Sequence, residues 1–347
     1  MKGKLICTAA VSAAALWAGL AMADPTPWTH LNYQNDPDDF QFAIIPDRTG
    51  GDYRGAFTNA LAKVNLMHPE FVMTVGDLIE GSPKFETMRA QQDELTNMTS
   101  KVVAPFFTVV GNHDISRSRA KPPEYESVNE DNLQVWKEYY GENTYYSFVY
   151  RNVLFVCLNT MEGRGIRPYS KQVGITPSQY AWFKKTLDEH PDVRWTMIFM
   201  HQPAVWLTNA WLKFEKEELA RRKYTVFAGD WHTYLHVRRH GRDYYVLAVA
   251  GGCGGLGSIH NPAPRAHLRG IAYGEVDHIT WVTMTKDGPQ VVNLTLDGIL
   301  PGDFMDQSKT LWTKRTEPLD YPPDPKTVER LKRLKEETAK ARTAKTP

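Results

Sequence analysis

The first half of the chain switches between two patterns of hydrophobic and polar positions. Nearly continuous apolar runs lie within residues 40–47, 71–77 and 105–114, and each predicts a strand buried on both faces. Between these runs, apolar side chains recur at helical spacing around 57–64, and a polar helical pattern covers about 84–102. This β-α-β-α-β order favours parallel strands joined by crossover helices, so we expect an α/β fold.

The second half continues with a larger share of strands. The pattern predicts a hairpin over residues 143–160, a helix over 176–190, and strands over 195–201 and 224–230. We expect the hairpin to turn near Arg151-Asn152. Thr176 is a good N-cap, and Pro177 suits the first position of a helix, so the helix should begin there.

The two ends of the chain differ from the rest. Residues 1–23 combine Lys2 and Lys4 with an apolar run and a small-residue cleavage site, which predicts a signal peptide and an exported protein, periplasmic or secreted. The apolar run is short for a membrane span, and an uncleaved anchor is the alternative. We expect residues 24–322 to form one domain. Residues 323–347 form a charged tail, either solvated or used for docking.

Composition narrows the class of protein. Lys and Arg number 41 against 40 for Asp and Glu, a formal charge of +1, which argues against a long nucleic acid as partner. Cys157 lies in an apolar strand and is expected to be a buried small side chain, while Cys253 lies in a glycine-rich run. The sequence leaves open whether these two cysteines pair.

Several predicted strands end in side chains that can bind metal ions. These endings are Asp47, Asp77, Asn112 with His113, His201, and Asp230 with His232. Ligands of open α/β sheets bind at the carboxyl ends of the strands, so we expect these residues to converge. A single such ending is usually a turn residue, but five in one chain favour a shared site. Carboxylate, amide and imidazole groups suit two hard or borderline divalent cations.

The order Asp…Gly-Asp…Gly-Asn-His-Asp…His…Gly-x-x-His resembles that of the calcineurin-like metallophosphoesterases, the superfamily that includes purple acid phosphatases. The resemblance covers residues 47–232, and the interval from Asp77 to Asn112 matches the β-α-β unit of that family. It implies a four-layer α/β/β/α sandwich. The strand-rich remainder, to about residue 300, would belong to the second sheet.

The resemblance also implies a site and a reaction. Asp77 would bridge two metal ions, with Asp47 and His232 on one ion and Asn112 and His201 on the other. The implied reaction is hydrolysis of a small phosphomonoester or phosphodiester by in-line attack of a metal-bridging hydroxide.

Three further residues receive roles next to these ligands. His113 would be the general acid at the leaving oxygen. Asp114 would orient the His113 imidazole through a hydrogen bond, or would only cap a turn. Arg48 is a candidate for a phosphate contact, and the alternative is a solvent-facing loop arginine.

Two positions depart from the family pattern. Thr49 replaces the histidine of Asp-x-His, and Asp230 replaces the first histidine of Gly-His-x-His, so each metal loses a nitrogen ligand. Asp230 can coordinate through oxygen. Glu80 stands where purple acid phosphatases have a tyrosine ligand and becomes a candidate ligand, or else a surface loop residue.

These ligand sets are rich in oxygen, which favours Mn²⁺, Fe or Mg²⁺ over Zn²⁺. Each of the two metal ions would keep one histidine ligand, His232 on the first ion and His201 on the second. The two substitutions also support an alternative function. In that alternative, the protein is a catalytically decayed relative that binds a phosphorylated ligand or a partner without turnover.

Overall fold

The computed structural model of the protein describes residues 33–50, 55–115, 125–162, 174–252 and 277–296, together with 27 and 31. Contacts separate the chain into two units, Met1–Pro37 and Asp38–Pro347, and every element named below belongs to the second. The expected signal peptide, the charged tail and Cys253 lie outside the described residues, so the predicted boundaries stay predictions. Among the described helices, none has the length and apolar composition needed to cross a membrane.

Within the described residues, the first sheet has five strands. They are β1 (Phe40–Ile45), β2 (Phe71–Thr74), β3 (Phe106–Phe107), β10 (His278–Thr285) and β11 (Gly288–Thr295). Their order across the sheet is β11-β10-β1-β2-β3. Strands β1, β2 and β3 are parallel, as the sequence predicts. The expectation that the strand-rich remainder up to about residue 300 belongs to the second sheet is wrong for β10 and β11, because β10 pairs antiparallel with β1 and carries β11 at the edge of the first sheet.

The second sheet has six described strands, in the order β4-β5-β6-β7-β9-β8. They are β4 (Tyr146–Tyr150), β5 (Val153–Cys157), β6 (Trp195–Phe199), β7 (Tyr224–Ala228), β8 (Leu235–Arg239) and β9 (Arg242–Val246). The predicted hairpin is confirmed as β4–β5. Its two turn residues, Arg151 and Asn152, have φ of 43° and 58°, which matches a tight turn with left-handed central residues.

In the part of the chain that the structure describes, seven α-helices and one π-helical turn connect or cover the strands. They are α1 (Ala56–Met67), α2 (Phe85–Thr99), α3 (Asn112–Ile115), α4 (Tyr125–Tyr140), α5 (Pro177–Glu189), α6 (Ala204–Leu207), α7 (Asn209–Phe214) and the π-helical turn Glu215–Leu219. Helix α5 begins where the sequence predicts. The Thr176 hydroxyl accepts the N–H of Gln179 at 3.2 Å, and Pro177 occupies the first turn.

Clusters of buried apolar side chains show the layers. Phe42 and Ile44 of β1 belong to the cluster between the two sheets, whereas Ala43 and Ile45 belong to the cluster under α1 and α2. A third cluster packs β5, β6 and β7 against α5 and α7, with Trp211 buried in it. Since both faces of the central strands are covered, their sequences are apolar throughout. The expected four-layer α/β/β/α arrangement is confirmed.

The two sheets are joined at the edge that carries the polar strand endings. Val249, which follows β9, forms parallel bridges with Asp47 and with Asp277. Ala250 donates its N–H to the Asp47 carbonyl at 2.8 Å, and His278 donates to the Val249 carbonyl at 2.9 Å. These bonds fix the residue after β1 in the first sheet against the second sheet.

Candidate metal centre

Six of the seven predicted metal ligands meet at one edge of the two sheets. Asp47 follows β1, Asp77 follows β2, Asn112 follows β3, His201 follows β6, and Asp230 and His232 follow β7. The carboxyl ends of parallel strands lie at a common edge, which is why residues far apart in sequence become neighbours here. The six side chains form two groups that share Asp77.

The first group consists of Asp47, Asp77 and His232. One ligand atom from each lies within 4.8 Å of the others, and His232 Nε2 is 3.5 Å from Asp47 Oδ2. Both carboxylates are buried. Asp47 Oδ1 is buried without a hydrogen-bond partner among the described residues, which is costly for a carboxylate oxygen. A cation at this position would satisfy that atom, so the residues fit a metal ion.

The second group is centred on His201 Nε2. This atom lies 3.0 Å from Asn112 Oδ1, 3.2 Å from Asp77 Oδ2 and 3.4 Å from Asp230 Oδ1. The other ring nitrogen, Nδ1, is 2.7 Å from the Val75 carbonyl and donates its hydrogen there. Metal-binding histidines usually make such a bond, because it leaves the Nε2 lone pair for the ion. The second group therefore also fits a metal ion.

The Asn112 amide can take two orientations, and the surrounding protein groups by themselves satisfy only the second. In the first, Oδ1 faces His201 Nε2 and the Asp230 carboxylate, so several electron-pair donors converge on one point. In the second, the amide nitrogen would donate to Asp230 Oδ1 at 2.8 Å. Only the first orientation presents an oxygen to a cation, and the amide can adopt it when an ion is bound.

Electrostatics favours positive charge at the shared position. Burial raises the pKa of the Asp47 carboxyl well above its usual value, and the nearby charge of Asp77 adds to this rise. Burial acts in the same direction on Asp77, but the imidazoles of His201 and His113 outweigh it and lower its pKa. Burial lowers the pKa of His201, yet the Asp77 and Asp47 carboxylates outweigh this and raise it well above 6.5. The cluster thus attracts a proton or a metal cation.

Glycines stand directly before Asn112 and Asp230, at two positions where a side chain would collide with a buried carboxylate. A Cβ on Gly111 would lie 2.2 Å from Asp77 Oδ1, and a Cβ on Gly229 would lie 2.2 Å from Asp47 Oδ1. Real Cβ atoms do not approach an oxygen so closely. The glycines therefore let the strand ends pack directly against the two buried carboxylates.

Three candidate ligands have left-handed backbone conformations. The φ angles are 55° at Asp77, 69° at Asp230 and 53° at His232. Such residues cost about 1–3 kcal/mol each and are concentrated at functional sites, where the surrounding structure holds them. Here Asp230 donates its N–H to Asp47 Oδ2 at 2.8 Å, which ties the loop after β7 to the residue after β1.

The contacts of Asp114 match the turn-capping alternative. Its Oδ2 accepts the backbone N–H groups of Gly111 at 2.8 Å and Asp77 at 3.0 Å, and its Oδ1 accepts that of Leu78 at 3.1 Å. Burial, together with the charge of Asp77, raises the pKa of Asp114 to about 6. Asp114 therefore joins the loop after β2 to the loop after β3, a role that differs from orienting the His113 ring.

The His113 ring is oriented by a different group. Its Nδ1 is 2.9 Å from the Glu80 carbonyl, and its Nε2 is 3.9 Å from Asp77 Oδ2. The His113 backbone N–H also donates to Asp77 Oδ1 at 2.7 Å. The imidazole side chain is 21% exposed, so a substrate can approach it.

Glu80 is the predicted ligand that the described cluster does not include. The group of carboxylate and imidazole atoms within 4.8 Å comprises Asp47, Asp77 and His232. Glu80 instead lines a small cavity with Arg48 and Gln91, and its backbone carbonyl orients His113. Ligation by the Glu80 carboxylate stays a prediction.

Arg48 is buried, so the alternative of a solvent-facing loop arginine is wrong. Its guanidinium donates to the Leu78 carbonyl and to Glu94 Oε1, both at 3.3 Å, and lies over the Phe57 ring. Protein groups therefore hold the guanidinium between the loop after β2 and helix α2. A phosphate contact from Arg48 stays a prediction.

Thr49 enters the sequence pattern only as a lost ligand, but it has a contact of its own. Thr49 is buried, and its hydroxyl donates to Asp77 Oδ2 at 3.4 Å. The Val75 and Glu80 carbonyls, which orient the two histidines, are also absent from the sequence prediction. Backbone carbonyls carry no sequence signal, whereas a hydroxyl residue two positions after a ligand could have suggested a donor.

Comparisons with known proteins agree with this geometry. The family model of the calcineurin-like phosphoesterases matches residues 30–247, which is more than half of the chain. Among solved structures, PhoD is 12% identical and matches 74% of this chain and 68% of its own, with a TM-score of 0.56.

A dimetal phosphatase from Danio rerio is 14% identical, with coverage of 74% and 99% and a TM-score of 0.51. At such identities, these two likenesses concern the fold. No curated protein matches the sequence. The family match over residues 30–247 and the shared fold lead to one conclusion: the chain belongs to the calcineurin-like phosphoesterase family.

Proposed function

We propose that the protein is an exported, metal-dependent phosphoesterase that hydrolyses a small phosphomonoester or phosphodiester. The observation that carries the proposal is the convergence of six candidate ligands into two groups that share Asp77. The family to which the chain belongs typically has a dinuclear metal centre, and both groups fit a cation.

Each group would hold one metal ion. Asp47, Asp77 and His232 would hold the first, with Glu80 as a candidate fourth ligand. Asp77, Asn112, His201 and Asp230 would hold the second. Oxygen atoms outnumber nitrogen in both sets, which supports Mn²⁺, Fe or Mg²⁺ rather than Zn²⁺. Full activity and tight binding with zinc at both positions would contradict this preference.

Two bound cations would supply an activated water for in-line attack at phosphorus and would neutralise charge on the phosphoryl oxygens. The protein's own residues would position the metal ions and would protonate the leaving oxygen. Asp77 keeps the two positions adjacent, and the hydrogen bond from Thr49 helps to fix its carboxylate. Apart from these groups, hydrolysis needs a proton for the leaving oxygen.

His113 is the proposed source of that proton. With Nδ1–H donated to the Glu80 carbonyl, a proton on Nε2 makes the ring cationic and places an acidic hydrogen on the side of Asp77. The partial exposure of the side chain lets a leaving group reach Nε2. General acids of this kind contribute about 10²–10⁴-fold to the rate.

The test is hydrolysis of p-nitrophenyl phosphate and of bis(p-nitrophenyl) phosphate after chelation, with Mn²⁺, Fe²⁺, Mg²⁺ or Zn²⁺ added back. We expect turnover to return with metal and to fall about 10²-fold or more in His113→Ala. His190→Ala, which changes a histidine at the end of α5, is the matched control. Turnover by His113→Ala equal to that of the parent would exclude the general acid.

Metal content separates the enzyme from the alternative, a decayed binder of phosphorylated ligands. Thr49 supports that alternative, because it forms a hydrogen bond where the family has a ligand. Two ions per chain, measured by elemental analysis of the protein, support the enzyme. One ion or none, without turnover of either ester, supports the binder.

Export is tested separately. The apolar run and small residues of 1–23 predict cleavage after Ala23, so the secreted or periplasmic protein should begin at Asp24. N-terminal sequencing and intact mass of the protein from each cell fraction provide the measurement. A chain retained in the membrane fraction with residues 1–23 would indicate an anchor instead.

A further inference from the structure

Trp231 lies between two candidate ligands, Asp230 and His232, on the loop after β7. Consecutive Cα atoms are about 3.8 Å apart, so the Cα atom of Trp231 lies at that distance from the Cα atom of each of the two ligands. Trp231 is 37% exposed, whereas Trp136 and Trp211 are buried in the apolar core. A large and partly exposed aromatic residue therefore belongs to the loop that carries two candidate ligands.

Single exposed apolar side chains are ordinary on protein surfaces, so the position of Trp231 matters more than its exposure. In the second unit, the other large apolar side chains that the structure shows as exposed are Leu66 at the end of α1, Val103 before β3, Val149 on β4 and Val292 on β11. None of these elements or loops carries a candidate ligand. Trp231 is thus the residue of this set that lies on a loop with candidate ligands.

Two hydrogen bonds hold the backbone at Trp231 and at the residue before it. Trp231 donates its N–H to the Gly229 carbonyl at 2.9 Å, and Asp230 donates to Asp47 Oδ2 at 2.8 Å. Both neighbours of Trp231 have left-handed φ angles, 69° and 53°. A backbone held by such bonds has less freedom to lose, which lowers the entropy cost of a contact between this loop and a ligand.

We propose that Trp231 stacks on the ester group of the substrate and gives the site a preference for phosphoesters with a flat aromatic ring, as in aryl esters and nucleotides. The inference rests on the proposed phosphoesterase function and names a substrate class for that site. With the phosphoryl group at the metal positions, the ester group extends away from them, and in this proposal it meets the indole of the loop after β7. Indole faces bind aromatic rings well and aliphatic groups less well.

The test compares phenyl phosphate with glycerol phosphate as substrates of the full chain. The ratio of their kcat/KM values should fall about tenfold in Trp231→Ala, chiefly through KM for the phenyl ester, and should largely persist in Trp231→Phe. Leu66→Ala, which removes an exposed apolar side chain from α1, is the matched control. A ratio in Trp231→Ala that stays within about threefold of the parent's overturns the inference.

Binding provides a second measurement that does not need turnover. Calorimetric titration of the Mn²⁺-loaded protein with phenylphosphonate and methylphosphonate should show a preference for the phenyl compound that Trp231→Ala abolishes. If the parent hydrolyses no ester, the proposed function fails, while the titration still decides the role of Trp231. Equal affinity of the parent for the two phosphonates, or an unchanged preference in Trp231→Ala, overturns the inference.

Discussion

Replacing Asp114 with alanine removes the acceptor that joins two ligand-bearing loops. In the parent protein, three backbone N–H groups donate to the Asp114 carboxylate: those of Gly111 at 2.8 Å, Asp77 at 3.0 Å and Leu78 at 3.1 Å. Both the carboxylate and these residues are buried, so water cannot easily replace the lost acceptor. The alanine variant leaves all three donors without an acceptor.

The expected loss of stability is worked out from these three bonds. A buried donor left without an acceptor costs about 1–3 kcal/mol, and three of them with partial relaxation cost about 3–6 kcal/mol. A domain is stable by about 5–15 kcal/mol, so this loss is a large share of the total. Asp114→Asn keeps one acceptor oxygen, and we expect roughly half the loss.

Equilibrium unfolding in guanidinium chloride, followed by tryptophan fluorescence in the presence of a chelator, measures the change. Asp192→Ala, which changes an exposed aspartate in the turn before β6, is the matched control. A loss below about 1 kcal/mol in Asp114→Ala would refute the capping role. If Asp114 instead orients His113, the variant should lose activity while its stability stays close to that of the parent.

Two further predictions concern packing at the site and in the core. Gly111→Ala places a Cβ 2.2 Å from Asp77 Oδ1, and Gly229→Ala places one 2.2 Å from Asp47 Oδ1. Each variant should therefore bind Mn²⁺ at least tenfold more weakly than the parent in calorimetry. Binding equal to the parent's would contradict the packing argument. Cys157 is buried on β5, and burial raises its pKa to about 12. At pH 8 the Cys157 thiol is therefore protonated and shielded from solvent. In the variant Cys7→Ser, Cys253→Ser, which keeps Cys157 as its one cysteine, a thiol reagent should label this residue only after unfolding. Rapid labelling of the folded protein would disprove this prediction.

The sequence determined the strands and the polar residues at their ends. Central strands covered on both faces must be apolar throughout, so β1 and β2 were visible as continuous runs, and the polar residues after them stood out. The carboxyl ends of parallel strands share an edge, so the convergence of Asp47, Asp77 and His201 follows from the sequence pattern alone. The start of α5 was equally local, because Thr176 and Pro177 specify it without distant contacts.

The tertiary structure decided which loop side chains face the centre. Arg48 follows a ligand directly, yet its guanidinium is held by Leu78 and by Glu94 of α2, which the sequence pattern does not bring together. The Glu80 carboxylate stays outside the described cluster, while its carbonyl orients His113. Loop side chains have no fixed period, so their directions depend on partners from distant segments.

Distances between remote segments also set the electrostatics. The backbone N–H of Asp230 donates a hydrogen bond to Asp47 Oδ2, although the two residues are 183 positions apart in the sequence. The Asp114 carboxylate likewise accepts N–H groups from the loops after two different strands. The pKa values of Asp47 and His201 depend on burial and on each other's charge, which exist only once the sheets have packed. The sequence by itself determined which residues are available at the sheet edge, and packing between its distant parts decided which of them share the site.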